Sequence, residues 1–211
     1  GKTAYGMPEF FADEIRVADV VANPGCYPTS AILPLAPLVE SDLIDPRDII
    51  IDSKSGVSGA GRSAKVAMLY CETNESISAY AVGCHRHQPE IDDLVGRISG
   101  REVSVLFTPH LTPMDRGILS TLYVRPRSAT VETVMQTWRQ RYASCPFVKP
   151  VEHLPATKHV SGTNFVHLTA RQCGDRMVLV CAIDNLTKGA SGAAIQNMNV
   201  MFSVEETLGL L

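Results

Sequence analysis

No stretch of this 211-residue sequence approaches the about 18 consecutive apolar residues of a membrane-spanning helix. A charge excess is also missing. Nineteen Lys and Arg face 22 Asp and Glu, and a net charge of −3 is too mild to suggest a nucleic-acid or membrane-surface partner. Residues 1–6 carry no signal-peptide pattern, and no repeat or low-complexity tract interrupts the chain. There is no C-x-x-C. The cysteines at 26, 71, 84, 145, 173 and 181 are irregularly spaced, which reads as reduced thiols and a cytoplasmic setting. A zinc site built from Cys84, His85 and His87 would crowd its ligands into four residues without a second cluster, so no metal is expected. The dinucleotide fingerprint G-x-G-x-x-G is absent too.

What is present is an ordinary globular composition, 45% hydrophobic and 19% charged, with room for a sizeable core. Residues 1–22 read as a connector, turn-like at Met7-Pro8-Glu9-Phe10, followed by a strand in the run 17–22. A helix is expected from Thr29 to about Val39 with Ile32, Leu33, Leu35, Ala36 and Val39 inward, and Pro34 and Pro37 predict a kink or an early end. Strands follow at 49–54, 103–108 and 118–124, and a helix starts near Pro89. Residues 130–142 carry Val131, Val134, Met135, Trp138 and Tyr142 at helical spacing. Residues 165–170 and 177–183 pair as a hairpin across Cys173-Gly174-Asp175. A last helix presents Ala190, Ala194, Met198 and Met201 on one face. Strands adjacent in sequence, with few helices, argue an α+β fold: a mixed, largely antiparallel sheet backed by helices on one face.

The chemistry centres on Asn23-Pro24-Gly25-Cys26-Tyr27-Pro28-Thr29. Cys26 falls at or just before the first turn of a helix, where free N–H groups and the dipole favour a thiolate. Pro28 suits that first turn. Two readings stand on local chemistry: a nucleophile and a buried structural thiol. The loop Ser55-Gly56-Val57-Ser58-Gly59-Ala60-Gly61-Arg62 has the order G-x-x-G-x-G, and reads as an anion-friendly or simply flexible loop ending in an arginine. Were residues 83–87 extended, His85 and His87 would share a face. Arg62, Arg116 and Lys188 are the cations able to meet an acidic substrate. Asp115 beside Arg116 offers a plain ion pair instead.

The stretch 21–29 resembles the active-site signature of the N-acetyl-gamma-glutamyl-phosphate reductases, a branch of the aspartate-semialdehyde dehydrogenase-like family. Three more stretches resemble that branch in the same order: Gly83-Cys84-His85-Arg86-His87-Gln88-Pro89-Glu90-Ile91, then Phe107 to Leu111 continuing through Arg116-Gly117-Ile118, then Asp184 to Ala190. Four motifs in order are a specific signal spanning nearly the whole chain.

The resemblance implies the C-terminal domain fold of glyceraldehyde-3-phosphate dehydrogenase-like enzymes. Residues 23–183 would be the catalytic, substrate-binding and dimerisation domain. Residues 1–22 would connect to a dinucleotide-binding domain that this sequence lacks, and residues 184–211 would carry a helix packing on that Rossmann-type domain. It implies NADP as cofactor, an acyl-phosphate substrate and a homo-oligomer. Cys26 is the implied nucleophile and His85 its acid/base. His87, Arg116, His110, Arg62, Glu72 and Tyr80 are the expected substrate contacts, and Ser55, Gly56, Pro28 and Asn185 the expected cofactor contacts. The implied function is reduction of N-acetyl-gamma-glutamyl phosphate in arginine biosynthesis. The alternatives are an aminoadipyl- or aspartyl-phosphate reductase, and an isolated substrate-binding and dimerisation domain without activity of its own.

Overall fold

A computed structural model describes residues 1–61 and 65–211. Its centre is a seven-stranded sheet. The strands are β3 (Ile44–Gly56), β4 (Ser78–Ala79), β5 (Val105–Thr112), β6 (Ile118–Pro126), β7 (Val148–Pro150), β8 (Val166–Cys173) and β9 (Arg176–Ile183), in the order β4-β5-β3-β6-β9-β8-β7. The pairs β3–β5 and β7–β8 are parallel and the rest antiparallel, so the sheet is mixed and largely antiparallel, as expected. Strands β5 and β6, consecutive in the chain, do not touch, because β3 lies between them. Residues 103–112 therefore form a parallel crossover partner of β3, reached through α4 (His87–Ser99), with the register Ile49↔Val105 to Gly56↔Thr112.

One face of the sheet carries the core. Ile49, Ile51, Phe107, Leu122, Val124, Leu168 and Leu179 are buried there, whereas the alternate residues Ile50, Asp52, Lys54, Tyr123, Val178 and Val180 stay half-exposed on the other face. The helix at the heart of the core is α2 (Cys26–Glu40). Every residue from Tyr27 to Val39 is buried, so α2 has no solvent face, unlike the one-sided helix expected from sequence. Burying Ile32, Leu33, Leu35 and Leu38 contributes about 1.5–3 kcal/mol each.

The prolines do not break α2. Pro37 has no N–H to give to the Leu33 carbonyl, but the Tyr142 hydroxyl donates to that oxygen at 2.6 Å. Trp138 Nε1–H donates to the Pro34 carbonyl at 3.0 Å. Both donors come from α5 (Val131–Arg141) and its C-cap, a helix found where its periodicity predicted it, with Thr130 as the N-cap. At the other end of α2, a buried line of hydroxyls fastens the first turns to the sheet. Ser30 Oγ meets Ser120 Oγ at 2.7 Å, and Ser120 meets Ser53 at 2.6 Å.

Residues 1–22 are more than a connector. Thr3–Tyr5 (β1) and Val20–Ala22 (β2) pair in parallel around α1 (Pro8–Arg16). Pro8 opens this helix at its first position, which is why a segment that reads as a turn is helical. The last helix, α6 (Gly192–Met201), follows a π-helical turn at Thr187–Ser191 and packs on α1. Its inward face is polar: Gln196, Asn197 and Asn199 are buried. Lys188 Nζ, also buried, pairs with Glu9 Oε1 at 2.5 Å and with Gln196 Oε1 at 2.7 Å. The opposite side of α6 leaves Ala194, Ile195 and Met198 exposed. No described helix is long and apolar enough to cross a membrane.

Candidate active site

Cys26 is the first residue of α2, with Gly25 as its N-cap. It opens onto a cavity of about 210 Å³ lined by Tyr27, Tyr80, His85, Arg86 and His87 on one side and by Gly59, Ala60, Lys65, Met68 and Leu111 on the other. Two close approaches enclose the thiol. A Cβ on Gly25 would stand 2.5 Å from His87 Nε2, and a Cβ on Gly189 would stand 2.7 Å from the Cys26 Cβ. Only glycine at both places lets the histidine ring and the 184–189 segment come this near.

Burial pushes the Cys26 thiol above its ordinary pKa. The N–H groups of Tyr27 and Cys26, and then Arg86, oppose that rise, while Glu90 adds to it. Burial outweighs the helix-terminus effect read from the sequence, so forming the thiolate calls for a base within the cavity.

The rings that could serve form a cluster. His85 and His87 are 4.8 Å apart, centroid to centroid. His85 lies 5.6 Å from Tyr27, 5.5 Å from Tyr80 and 5.3 Å from Phe107. They do not share a strand. Ala81 and Gly83, at φ 46° and 72°, turn the chain, His85 follows in an irregular stretch, and His87 begins α4. His85 Nδ1 accepts from the His87 N–H at 3.2 Å. Burial and then Arg86 lower the His85 pKa. Burial, His85 and Arg86 together lower that of His87 to about 4. A lowered pKa favours the neutral imidazole, the form able to take a proton from a thiol. His87 is buried and its Nδ1 has no hydrogen-bond partner among the described residues.

Tyr80 joins the wall, with its hydroxyl donating to Tyr27 Oη at 3.1 Å. Glu90, not singled out in the sequence, lies behind the loop. Its Oε1 accepts from the Gly25 N–H at 3.3 Å and from the Tyr5 hydroxyl at 2.7 Å, tying the N-cap of α2 to β1. Its place one residue after Pro89, in the first turn of α4, was the available signal.

Other expected site residues stand apart from this cavity. The His110 side chain lies on the opposite face of the sheet from Phe107 and Leu111, 3.1 Å from Asp52 Oδ1, and only its carbonyl meets the Tyr27 hydroxyl. Glu72 is exposed on a short helix, Tyr70–Thr73. Arg116 lies 3.6 Å from the buried Asp184, rather than pairing with its neighbour Asp115. Lys188 is buried in its ion pair with Glu9 and does not line this cavity. Arg62 falls outside the described residues.

Among the expected cofactor contacts, Pro28 is buried in the first turn of α2 and Ser55 is buried at the end of β3. Gly56 sits tightly under residues 113–117: a Cβ there would meet the Asp115 carbonyl oxygen at 2.4 Å. The Asn185 amide is engaged at both ends, accepting from the Gly117 N–H at 2.6 Å and donating to Ser58 Oγ at 3.0 Å. This network holds the glycine loop over the cavity.

The sequence matches the family model described as semialdehyde dehydrogenase, dimerisation domain, over residues 26–185. The chain belongs to that family. Its curated relatives include N-acetyl-gamma-glutamyl-phosphate reductases from Rhodopirellula baltica, 68% identical over 100% of this chain and 63% of that protein, and from Moorella thermoacetica, 52% identical over 99% and 62%. The chain thus spans somewhat less than two thirds of the length of these relatives. Among solved structures, aspartate semialdehyde dehydrogenase II of Vibrio cholerae, complexed with ASA, has the same fold. Its TM-score is 0.74 at 16% identity, covering 96% of this chain and 68% of that one.

Proposed function

We propose that the protein containing this semialdehyde dehydrogenase domain reduces N-acetyl-gamma-glutamyl phosphate to N-acetyl-glutamate semialdehyde, releasing inorganic phosphate. The names of its relatives support the substrate. One observation carries the chemistry: Cys26 opens α2 inside a cavity that also holds His85.

In this reading, His85 takes the Cys26 proton and the sulfur attacks the acyl carbon. The carbon–oxygen bond to phosphate breaks, inorganic phosphate departs, and a thioester remains on Cys26. Splitting the reduction this way replaces one hard step by two easier ones. NADPH, when bound, supplies the hydride that reduces the thioester carbon. His85 gives its proton back to the Cys26 sulfur as the thiohemiacetal oxyanion left by that reduction collapses and its carbon–sulfur bond breaks, which releases the aldehyde and restores the thiol. Tyr27 and Tyr80 wall the acyl group off from water, and Arg86 and Lys65 on the cavity rim offer positive charge to the phosphate.

A cavity of about 210 Å³ suits the acyl phosphate and the reacting end of a cofactor, below the several hundred Å³ typical of whole-ligand pockets. The remainder of a dinucleotide would be held beyond this chain. Two copies would associate, in keeping with the family's description as a dimerisation domain.

In the full-length protein, Cys26→Ser should abolish phosphate-dependent NADP reduction by N-acetyl-glutamate semialdehyde and leave the thermal melt in place. Retained turnover would refute the assignment. Calorimetric titration of NADPH into this chain alone should show weak or no binding, and micromolar affinity would place the dinucleotide site within residues 1–211.

A further inference from the structure

We propose that His153, His159 and His167 form a binding site for one divalent transition-metal ion of the zinc class, on the far side of the sheet from the Cys26 cavity. Three separate segments bring these rings together. His153 follows β7, His159 ends the 3-10 turn Thr157–His159, and His167 lies on β8 between its partners Lys149 and Ala182. Each ring offers a nitrogen, and these three nitrogens all lie within 4.8 Å of one another. Ring centroids are 5.0 Å apart for His153 and His159 and 5.7 Å for His153 and His167.

A tetrahedral zinc with bonds of about 2.0–2.1 Å places its ligand atoms roughly 3.3 Å apart, so closure asks for small rotations. His153 and His159 are exposed and free to make them, while the strand fixes His167. One further observation points to a ligand. His167 Nδ1 is buried with no hydrogen-bond partner among the described residues, which is unusual for a native polar group.

The donor set selects the ion. Three imidazoles without a carboxylate suit zinc, nickel or copper(II) and are unsuited to calcium or magnesium, which take oxygen ligands. Water would complete the coordination. His159 Nδ1 now accepts from the Ala156 N–H at 3.1 Å. If Nε2 takes the metal, the ring proton moves to Nδ1 and that one exposed hydrogen bond is released. The ion would fasten the 151–159 segment, which also carries the exposed Leu154, to the edge of the sheet.

The test is a titration of the metal-free full-length protein with cobalt(II), followed by zinc competition. The expected result is one equivalent bound, with visible d–d bands, no near-ultraviolet thiolate-to-cobalt band, and displacement by zinc. The absence of thiolate charge transfer separates this site from the exposed Cys71, Cys84 and Cys173. In the His153→Asn/His159→Asn double variant, affinity should fall by about 100-fold or more, since two of three ligands are gone. Both side chains are exposed, so the melt of this variant in chelator should match wild type. No stoichiometric binding, a thiolate band, or undiminished affinity in a folded double variant would each overturn the proposal. The wild-type spectrum decides the matter even if the variant fails to fold.

Discussion

Gly189→Ala tests how closely the thiol is enclosed. The added methyl would stand 2.7 Å from the Cys26 Cβ and 3.3 Å from its Cα, where carbon atoms normally rest at about 3.5–4.0 Å. Relief requires a retreat of about 1 Å by one side. The 184–189 segment is poorly placed to give way. Asp184 is fully buried, its carboxylate accepts N–H bonds from Gly162, Leu186 and Thr187 at 2.7–3.1 Å, and Lys188 is locked to Glu9. Helix α2 is buried on every side. Overpacking of this kind costs about 1–3 kcal/mol. The melt of a domain this size should drop by roughly 2–4 °C per kcal/mol. A nucleophile displaced by about 1 Å loses on the order of 100-fold in rate. The assay is the iodoacetamide alkylation rate of Cys26 beside kcat and a thermal melt of the full-length protein. A variant that alkylates, turns over and melts like wild type would show that the segment does not enclose the thiol, and the reasoning would fail.

Tyr142→Phe should cost about 1–3 kcal/mol by leaving the buried Leu33 carbonyl without a donor, read by urea denaturation; a neutral result would mean that α2 needs no help at Pro37. Lys188→Met should destabilise by about 3–5 kcal/mol because it strands Glu9 in the core, and Lys188→Met/Glu9→Leu should recover much of that loss. For His87, the folded pKa of about 4 lies below the ordinary value near 6.5, so the unfolded chain binds more protons between them and stability falls as pH drops from about 6.5 to 4. Part of this loss, about 2 kcal/mol after allowing for solvent screening, should vanish in His87→Gln, and an unchanged pH profile would refute it.

Legibility followed locality. Helix α5 was readable because its apolar stripe and Thr130 cap lie within thirteen residues, and the β8–β9 hairpin because its turn is short. Helix α2 misled because the donor that compensates Pro37 comes from Tyr142, which no local pattern reveals. The same distance effect hid the insertion of β3 between β5 and β6, and made Lys188 look like an anion contact when its partner is Glu9. At the candidate site, Cys26 and its helix terminus were legible. The bringing together of His85 and His87 depended on positive φ at Ala81 and Gly83 rather than on strand alternation. His153, His159 and His167 carried no signal, because spacings of six and eight residues match no ligand motif.

The pairing of Glu9 with Lys188 has a consequence for how the protein is made. Gly189, next to Lys188, is the wall against Cys26, so the thiol belongs to the early part of the chain and its enclosure to the late part. On the ribosome, a nascent chain that has already formed α1 and α2 displays Cys26 without that wall. Only when residues 184–201 have left the exit tunnel can the ion pair close and the thiol acquire its finished surroundings. A chain that ends before residue 184 would therefore carry Cys26 without the Gly189 wall.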